Sequence, residues 1–463
     1  MTPAKAARTW WCEHAWLPTG VAAGVRLTVT DGRFSAIETG CPTPRSGDTH
    51  LPGVTLPGLA NAHSHAFHRA LRGRTHGDGG TFWTWRQQMY AVASRLTPES
   101  YLALARAAYA EMALAGYTVV GEFHYVHHRP DGTAYADPNA MGRALVQAAA
   151  DAGIRLTLLD TCYLAGGLTG DGHEPLAPEQ RRFGDGGVEA WERRADARWD
   201  WPECYRDERG PGRVRLGMAA HSVRAVPPRA LRWVADAARD HALPFHIHLS
   251  EQPAENDACD ARYGCTPTEL LEAEAALGPG TTVVHATHVT PADLATLGRT
   301  ETIACFCPTT ERDLADGIGP ARAFADAGAP LALGSDQHAV VDPFEEIRGL
   351  ESHERLTSGH RGRFTPDALL QAGSATGYRS LGWGTDGGVL EVGALADFVT
   401  VSLTSPRTAG ARPDQVLYAA TAADVTTVVV GGETTVSDGE HRLGSPAVIG
   451  TMLARAIAAV TDG

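Results

Sequence analysis

Lysine is almost missing from this chain. Among 463 residues there is one, Lys5, and every other permanently cationic side chain is an arginine. Positive charge is short overall: 40 Lys and Arg stand against 54 Asp and Glu, a formal net charge of −14. That balance argues against nucleic acid or an anionic membrane surface as a partner. It also obliges any anionic substrate to be held by arginines at short range. No apolar run approaches the length of about 18 residues that crosses a bilayer. The opening segment, MTPAKAARTWWCEHAWLPTG, has no continuous apolar stretch before a small-residue cleavage site, so no signal peptide is expected. The eight cysteines form no C-x-x-C and no even framework; Cys305 and Cys307 are the close pair. In a chain this long, the pattern reads as free thiols in a reducing cytoplasm.

What is present falls into two patterns. Both ends alternate apolar and polar residues around hairpin signals: Asp31-Gly32 in VRLTVTDGRFSAIETG, then Gly431-Gly432 and Asp438-Gly439 in VTTVVVGGETTVSDGEHRLG. A small β-sandwich domain assembled from residues 1–57 and 387–463 is expected. Between the ends, eight apolar runs (55–62, 118–123, 155–159, 213–220, 244–249, 281–286, 302–307 and 330–334) alternate with alanine-rich helical stretches, among them 140–152, 228–241, 266–277 and 320–327. Alternating strand and helix implies a parallel sheet. Eight units within about 330 residues imply an α/β fold, a (β/α)8 barrel over 58–386. A doubly wound open sheet competes, but no G-x-G-x-x-G follows the first strand. The Gly-rich, aromatic stretch 163–212 is too long for a plain loop and reads as an insertion or lid.

Polar residues gather where barrel strands end, which is where such barrels place their chemistry. Strand 1 ends in His63-Ser64-His65, strand 2 in GEFHYVHH, strand 4 in AAHSVRAV with His221 and Arg224. Strand 5 ends in HIHLSE with His246, His248 and Glu251, strand 6 in VVHATH with His285 and His288, and strand 8 in LGSD with Asp336. His63, His65, His248 and Asp336, from strands 1, 5 and 8, can meet at one axial spot. Three neutral imidazoles and a carboxylate suit Zn²⁺, with Fe²⁺ or Mn²⁺ as alternatives. His246 shares a face with His248 in a regular strand and is a rival ligand. Glu251 is placed as general base and His285 to orient the attacking water. Barrel hydrolases with two metals often bridge them through a carboxylated lysine on strand 4; Lys5 is remote from that strand, so a single metal is expected. The plainer reading makes His63 and His65 buried polar residues with no ligand. His124, His127, His128 and His288 read as loop polar groups, and His14, His50, His173, His241, His353 and His360 as surface. Cys305 and Cys307 read as core, Trp83 and Trp85 as packing, with Arg86 beside them turned to the pocket.

The segments PGLANAHSH, HIHLSE, VVHATH, LGSD and the closing GALADFVTV resemble the amidohydrolase superfamily in its one-zinc deaminase branch. More narrowly, HSHAFHRAL, FWTWRQQMY, AGYTVVGEFHYVHH, CPTTERDLADGIGP and GSDQHAVVDPFEEIRGLE are similar to the N-formimino-L-glutamate deiminases of histidine degradation. The resemblance implies hydrolysis of N-formimino-L-glutamate to N-formyl-L-glutamate and ammonia, with one Zn²⁺ per subunit held by His63, His65, His248 and Asp336. It implies that Glu251 and His285 act as the catalytic pair, Asp336 helping to orient the water. Arg86, Tyr125, His221 and Arg224 would hold the two carboxylates. His68 stands where that family is expected to carry glutamine. The expected setting is a cytoplasmic homodimer acting on a small dicarboxylate. Two other readings compete: a deaminase of a purine, pterin or other ring, and a silent barrel serving as a binding scaffold.

Overall fold

The eight apolar runs form one sheet of parallel strands in a computed structural model that describes residues 7–77, 82–198, 201, 212–384 and 386–461. In chain order they are β1 (Leu59–Ser64), β2 (Tyr117–His124), β3 (Arg155–Cys162), β4 (Val214–Ala220), β5 (Phe245–Leu249), β6 (Thr281–His285), β7 (Ile303–Phe306) and β8 (Leu331–Leu333), each paired with the next. The backbone bonds between β1 and β8 close the ring at the polar rim. His63 O accepts from Ser335 N (3.1 Å) and Asp336 N (3.0 Å), and His65 N donates to Asp336 O (3.2 Å). Nearly every strand residue is buried, as expected when helices cover the outside and side chains fill the inside. The helices start by a repeated local device. Thr97, Thr266, Thr290, Asp342 and Thr365 each cap a helix whose first residue is proline, a pairing that satisfies an end N–H and presets the first turn.

The opposite end of the barrel is plugged. Tyr378, Leu381 and Trp383 pack against Ala60 and Val119 at the strand starts, and Thr157 Oγ1 donates to Leu381 O (2.7 Å). Solvent therefore reaches the interior from the rim where the polar residues gather.

Both ends of the chain join in a second eight-stranded sheet. Its order is Glu440–His441, Glu433–Ser437, Val425–Val430, Phe398–Val401, Thr49–Pro57, Arg8–Leu17, Gly20–Thr30, Arg33–Glu38. The predicted hairpins form at Asp31-Gly32 and Asp438-Gly439, where both residues of each turn are left-handed (φ 51° and 75°, 51° and 74°). One face packs on the barrel through Trp16, Val54, Leu56 and Val428; the other carries a core of its own around Trp10, Leu27, Phe34 and Phe398. Arg155 at the start of β3 joins barrel to sheet by a buried two-pronged pair with Asp397 (2.6 and 2.9 Å), whose carboxylate also accepts from Tyr378 Oη and Gly431 N.

The first expected strand, 55–62, is two strands. Thr49–Pro57 belongs to the terminal sheet and Leu59–Ser64 to the barrel, with Gly58 between them. A Cβ at Gly58 would lie 2.5 Å from Thr118 Oγ1 and 2.7 Å from Tyr378 Oη, so only glycine fits where the layers touch. In the insertion, a small hairpin (Gly167–Thr169 and Gly172–Glu174) precedes a turn at Pro178–Phe183 and a helix at Val188–Asp196. Arg194 on that helix makes two-pronged pairs with Asp160 and Asp185, and Trp191 Nε1 donates to Asp160. Residues 199–200 and 202–211 of the insertion lie outside the described residues, as do Lys5 and Cys204; the seven described cysteines are free thiols. No helix among the described residues is long and apolar enough to cross a membrane.

Candidate active site

His63 is the fifth residue of β1 and His65 lies just past its end; His248 is near the end of β5, and Asp336 follows β8. One potential ligand atom from each lies within 4.8 Å of all the others. Asp336 Oδ1 is 3.4 Å from His63 Nε2 and 3.3 Å from His65 Nε2, and His248 Nε2 is 3.1 Å from His63 Nε2. Ligands at about 2.0–2.1 Å around a tetrahedral ion stand about 3.3 Å apart, so the spacing is that of a coordination shell. The hydrogen-bond partners point the same way. His65 Nδ1 lies 3.0 Å from Phe123 O and His248 Nδ1 lies 2.8 Å from His221 O; carbonyls only accept, so each Nδ1 carries the hydrogen. Both Nε2 lone pairs are then left facing inward. Burial pushes all three imidazoles well below their usual pKa, with neighbouring imidazoles adding to the effect, so they are neutral. Acceptors converging in this way fit a divalent cation.

Backbone geometry aims the remaining groups. Ser250, His285 and Asp336 are left-handed (φ 48°, 69° and 38°), an uncommon state for such residues that turns the chain sharply at the exits of β5, β6 and β8. Glu251 Oε1 is 3.7 Å from His285 Nε2, which is 3.9 Å from Asp336 Oδ2. His285 Nδ1 lies 3.5 Å from Glu311 Oε1. Burial alone would lower the His285 pKa, but Glu251, Glu311 and Asp336 together raise it to about 10. Burial raises Glu251 and Asp336 above the usual carboxylate range, opposed by the charge of His285. Arg224 donates through Nε to Glu255 Oε2 (2.6 Å), and its Nη2 is 3.5 Å from Glu251 Oε2. Glu255 Oε1 accepts from Ser250 N (2.8 Å), which pins the left-handed turn before Glu251.

These groups surround a cavity of about 270 Å³. His65, His68, Arg86, Tyr125, His221, Arg224, His248, Glu251, His285 and Asp336 all line it, and His63 lies fully buried behind. His68 shares a hydrogen bond with Tyr125 Oη (Nε2, 3.1 Å); burial lowers its pKa to about 3, so it meets a ligand as a neutral imidazole. Arg86 Nε donates to Tyr90 Oη (2.5 Å).

Some expectations change. His246 does not join the cluster: its Nε2 donates to Ser380 O (2.8 Å) on the barrel floor. Residues two apart share a strand face but sit about 6.5 Å apart along it, so His246 lies one layer too deep. His124 ends β2, while His127 and His128 lie in the loop after it as expected, but all three are buried; His127 bonds Thr161 O and His128 bonds Asp185. His353 is buried too, and His14 and His173 are half-buried, whereas His50, His241 and His360 are exposed. Trp85 packs at the cavity edge, and the Trp83 side chain lies outside the described residues. Four carboxylates went unassigned: Glu122, Glu255, Glu311 and Asp316. Glu122, Glu311 and Asp316 lie inside conspicuous segments, GEFHYVHH and CPTTERDLADGIGP, and Glu255 stands four residues past Glu251.

The model of the amidohydrolase family matches residues 54–435. Formimidoylglutamate deiminase of Pseudomonas aeruginosa is 38% identical over 444 residues, covering 93% of this chain and 94% of the relative. 8-Oxoguanine deaminase of the same organism is 30% identical, covering 91% of each. Among solved structures, an amidohydrolase from Brucella melitensis superposes with a TM-score of 0.85 at 32% identity, over 98% of this chain and 99% of the other. The match of the family model over the whole barrel, with a relative aligned over 93% of the chain and a cation-shaped cluster at the rim, establishes that the chain belongs to the amidohydrolase family.

Proposed function

We propose that this chain hydrolyses N-formimino-L-glutamate to N-formyl-L-glutamate and ammonia, as a step of histidine degradation in the reducing cytoplasm. The observation that carries the reading is one cavity in which three neutral imidazoles and a carboxylate face Glu251, with Arg86 and Arg224 in the walls. The 38% identity to a formimidoylglutamate deiminase supports the substrate. His63, His65, His248 and Asp336 would hold one divalent ion, preferably Zn²⁺, which when bound supplies Lewis-acid activation of water near neutral pH.

The protein's own groups do the rest. Glu251 takes a proton from the attacking water and delivers it to the formimino nitrogen. Glu251 then passes the proton left on the attacking oxygen to the same nitrogen as the C=O bond forms, and that nitrogen leaves as ammonia while the C–N bond to glutamate stays whole. His285, flanked by Glu251 and Glu311, donates to the oxygen on which negative charge develops. Arg224 and Arg86 provide planar, two-pronged donors for carboxylates. Glu255 already occupies the Nε edge of Arg224, so the substrate meets the Nη groups. His68, Tyr125 and His221 line the space between.

Ammonia release from N-formimino-L-glutamate by metal-quantified protein tests this, run beside purines and guanidines. Turnover of the linear amidine alone supports the reading. Preference for a ring substrate would move it to the ring deaminases, and zinc stoichiometry near zero would move it to a binding scaffold.

A further inference from the structure

The insertion 163–212 has no part in the chemistry above, yet it builds one wall of the cavity through Tyr163, Gly166, Leu168 and Phe183. A buried amide, Gln180, ties that wall together. Its Oε1 accepts from Ala177 N (2.9 Å), which makes Nε2 the donor end. Nε2 reaches Tyr163 Oη (2.9 Å), Tyr90 Oη (3.0 Å) and Gly166 O (3.1 Å). Tyr90 Oη also accepts from Arg86 Nε (2.5 Å), and Arg86 Nη2 approaches Gly166 O (3.4 Å).

Gln180 Nε2 has two hydrogens, and its two nearest acceptors, Tyr163 Oη and Tyr90 Oη, take them, which leaves Gly166 O to Arg86. A phenolic oxygen carries two lone pairs and one hydrogen. On Tyr90 both lone pairs are engaged, by Arg86 and Gln180, so Tyr90 can accept nothing from Tyr163. Gln180 fills one lone pair of Tyr163, and no acceptor among the described residues takes the Tyr163 hydrogen. Tyr163 therefore ends the chain with an O–H left for whatever fills the cavity it lines, on the wall it shares with Arg86. We infer that Tyr163 is a further substrate-binding residue, donating to the carboxylate that Arg86 holds, and that Gln180 is the positioning residue that aims both. The inference rests on the dicarboxylate reading above and extends it to the insertion.

Tyr163→Phe removes the hydroxyl and little volume. It should raise KM for N-formimino-L-glutamate by about 10-fold or more, with kcat affected much less, as for a lost hydrogen bond to a charged group. Two analogues locate the effect: N-formimino-4-aminobutyrate lacks the α-carboxylate and N-formimino-L-2-aminobutyrate lacks the side-chain carboxylate. Their inhibition constants need no turnover. The variant should leave the affinity of one analogue unchanged, the one missing the carboxylate that Arg86 holds, while weakening the other. Gln180→Leu should act in the same direction, and the two changes should combine to less than the product of their separate effects. Equal weakening of all three compounds, or none, overturns the inference. Arg86→Met separates the two levels. If it raises KM and Tyr163→Phe does not, only the role of Tyr163 is lost; if neither does, the dicarboxylate reading of this wall falls with it.

Discussion

Glu122 offers a way to perturb the metal cluster without touching a ligand. It is fully buried on β2, and its carboxylate grips the chain on both sides of His65: Oε1 accepts from Ala66 N (2.7 Å) and Oε2 from Ser64 Oγ (3.0 Å). Burial raises its pKa to about 7 against the pull of these donors, so at pH 8 it is a carboxylate. In Glu122→Gln, the amide oxygen can keep Ala66 N while the new NH₂ faces Ser64. Ser64 then turns its hydrogen to His338 Nε2, 2.9 Å away, and the network re-forms at a cost of about 1 kcal/mol. Glu122→Ala strands the buried Ala66 N–H and leaves a void, a loss of about 2–4 kcal/mol. If about half of that loosens His65, zinc affinity falls about 5- to 30-fold, overlapping the range of about 10- to 100-fold seen when groups supporting metal ligands are removed. Competition with a chromophoric chelator at pH 8 reads this directly, with thermal unfolding run alongside. The expected order of affinity is wild type, then Gln, then Ala. An Ala variant that unfolds earlier but binds zinc as tightly as wild type would show that Glu122 only fills space.

Glu251→Gln should retain zinc and substrate but lose about 10²- to 10⁴-fold in kcat, the range of general acid–base catalysis; an unchanged kcat refutes the proton shuttle. Asp397→Ala leaves Arg155 buried without its counter-charge and should destabilise the protein by about 3–5 kcal/mol in denaturant titration. A loss below about 1 kcal/mol would mean that the pair does not join barrel to sheet. In metal-free protein, His285 has a folded pKa raised to about 10 from 6.5, so its stabilisation is complete below 6.5 and disappears as pH rises through 10. Wild type minus His285→Gln, measured by denaturant midpoints across that window, should shrink steadily; a constant difference contradicts the charge cluster around His285.

Much of the site was legible because a parallel barrel gathers all its strand exits on one rim. His63, Arg224, His248 with Glu251, His285 and Asp336 stand at the ends of five separate apolar runs, so locating the runs located the cluster. The pattern reports which face a residue takes but not how deep it sits, and for that reason it left His246 open as a rival to His248. Partners were hidden for a different reason. Glu311 reads as one more acidic residue in a helix start until the fold brings it to His285. Glu255 looks like an exposed helical glutamate until Arg224 is seen to cover it. The break at Gly58 was invisible because two strands of different sheets follow one another with no polar interruption.

The terminal sheet has a consequence for how the chain must be made. Thr55 shares a hydroxyl hydrogen bond with Thr400, 345 residues further on, and their strands are neighbours. At about 5–20 residues per second, a ribosome needs roughly 20–70 s to bridge that gap. Throughout that interval one long edge of the strand 49–57, with its buried apolar residues, stays uncovered in the nascent chain. Early release or a stalled ribosome would leave it open to edge-to-edge aggregation, so yield in a cell should depend on a holding chaperone more than on the stability of the finished fold.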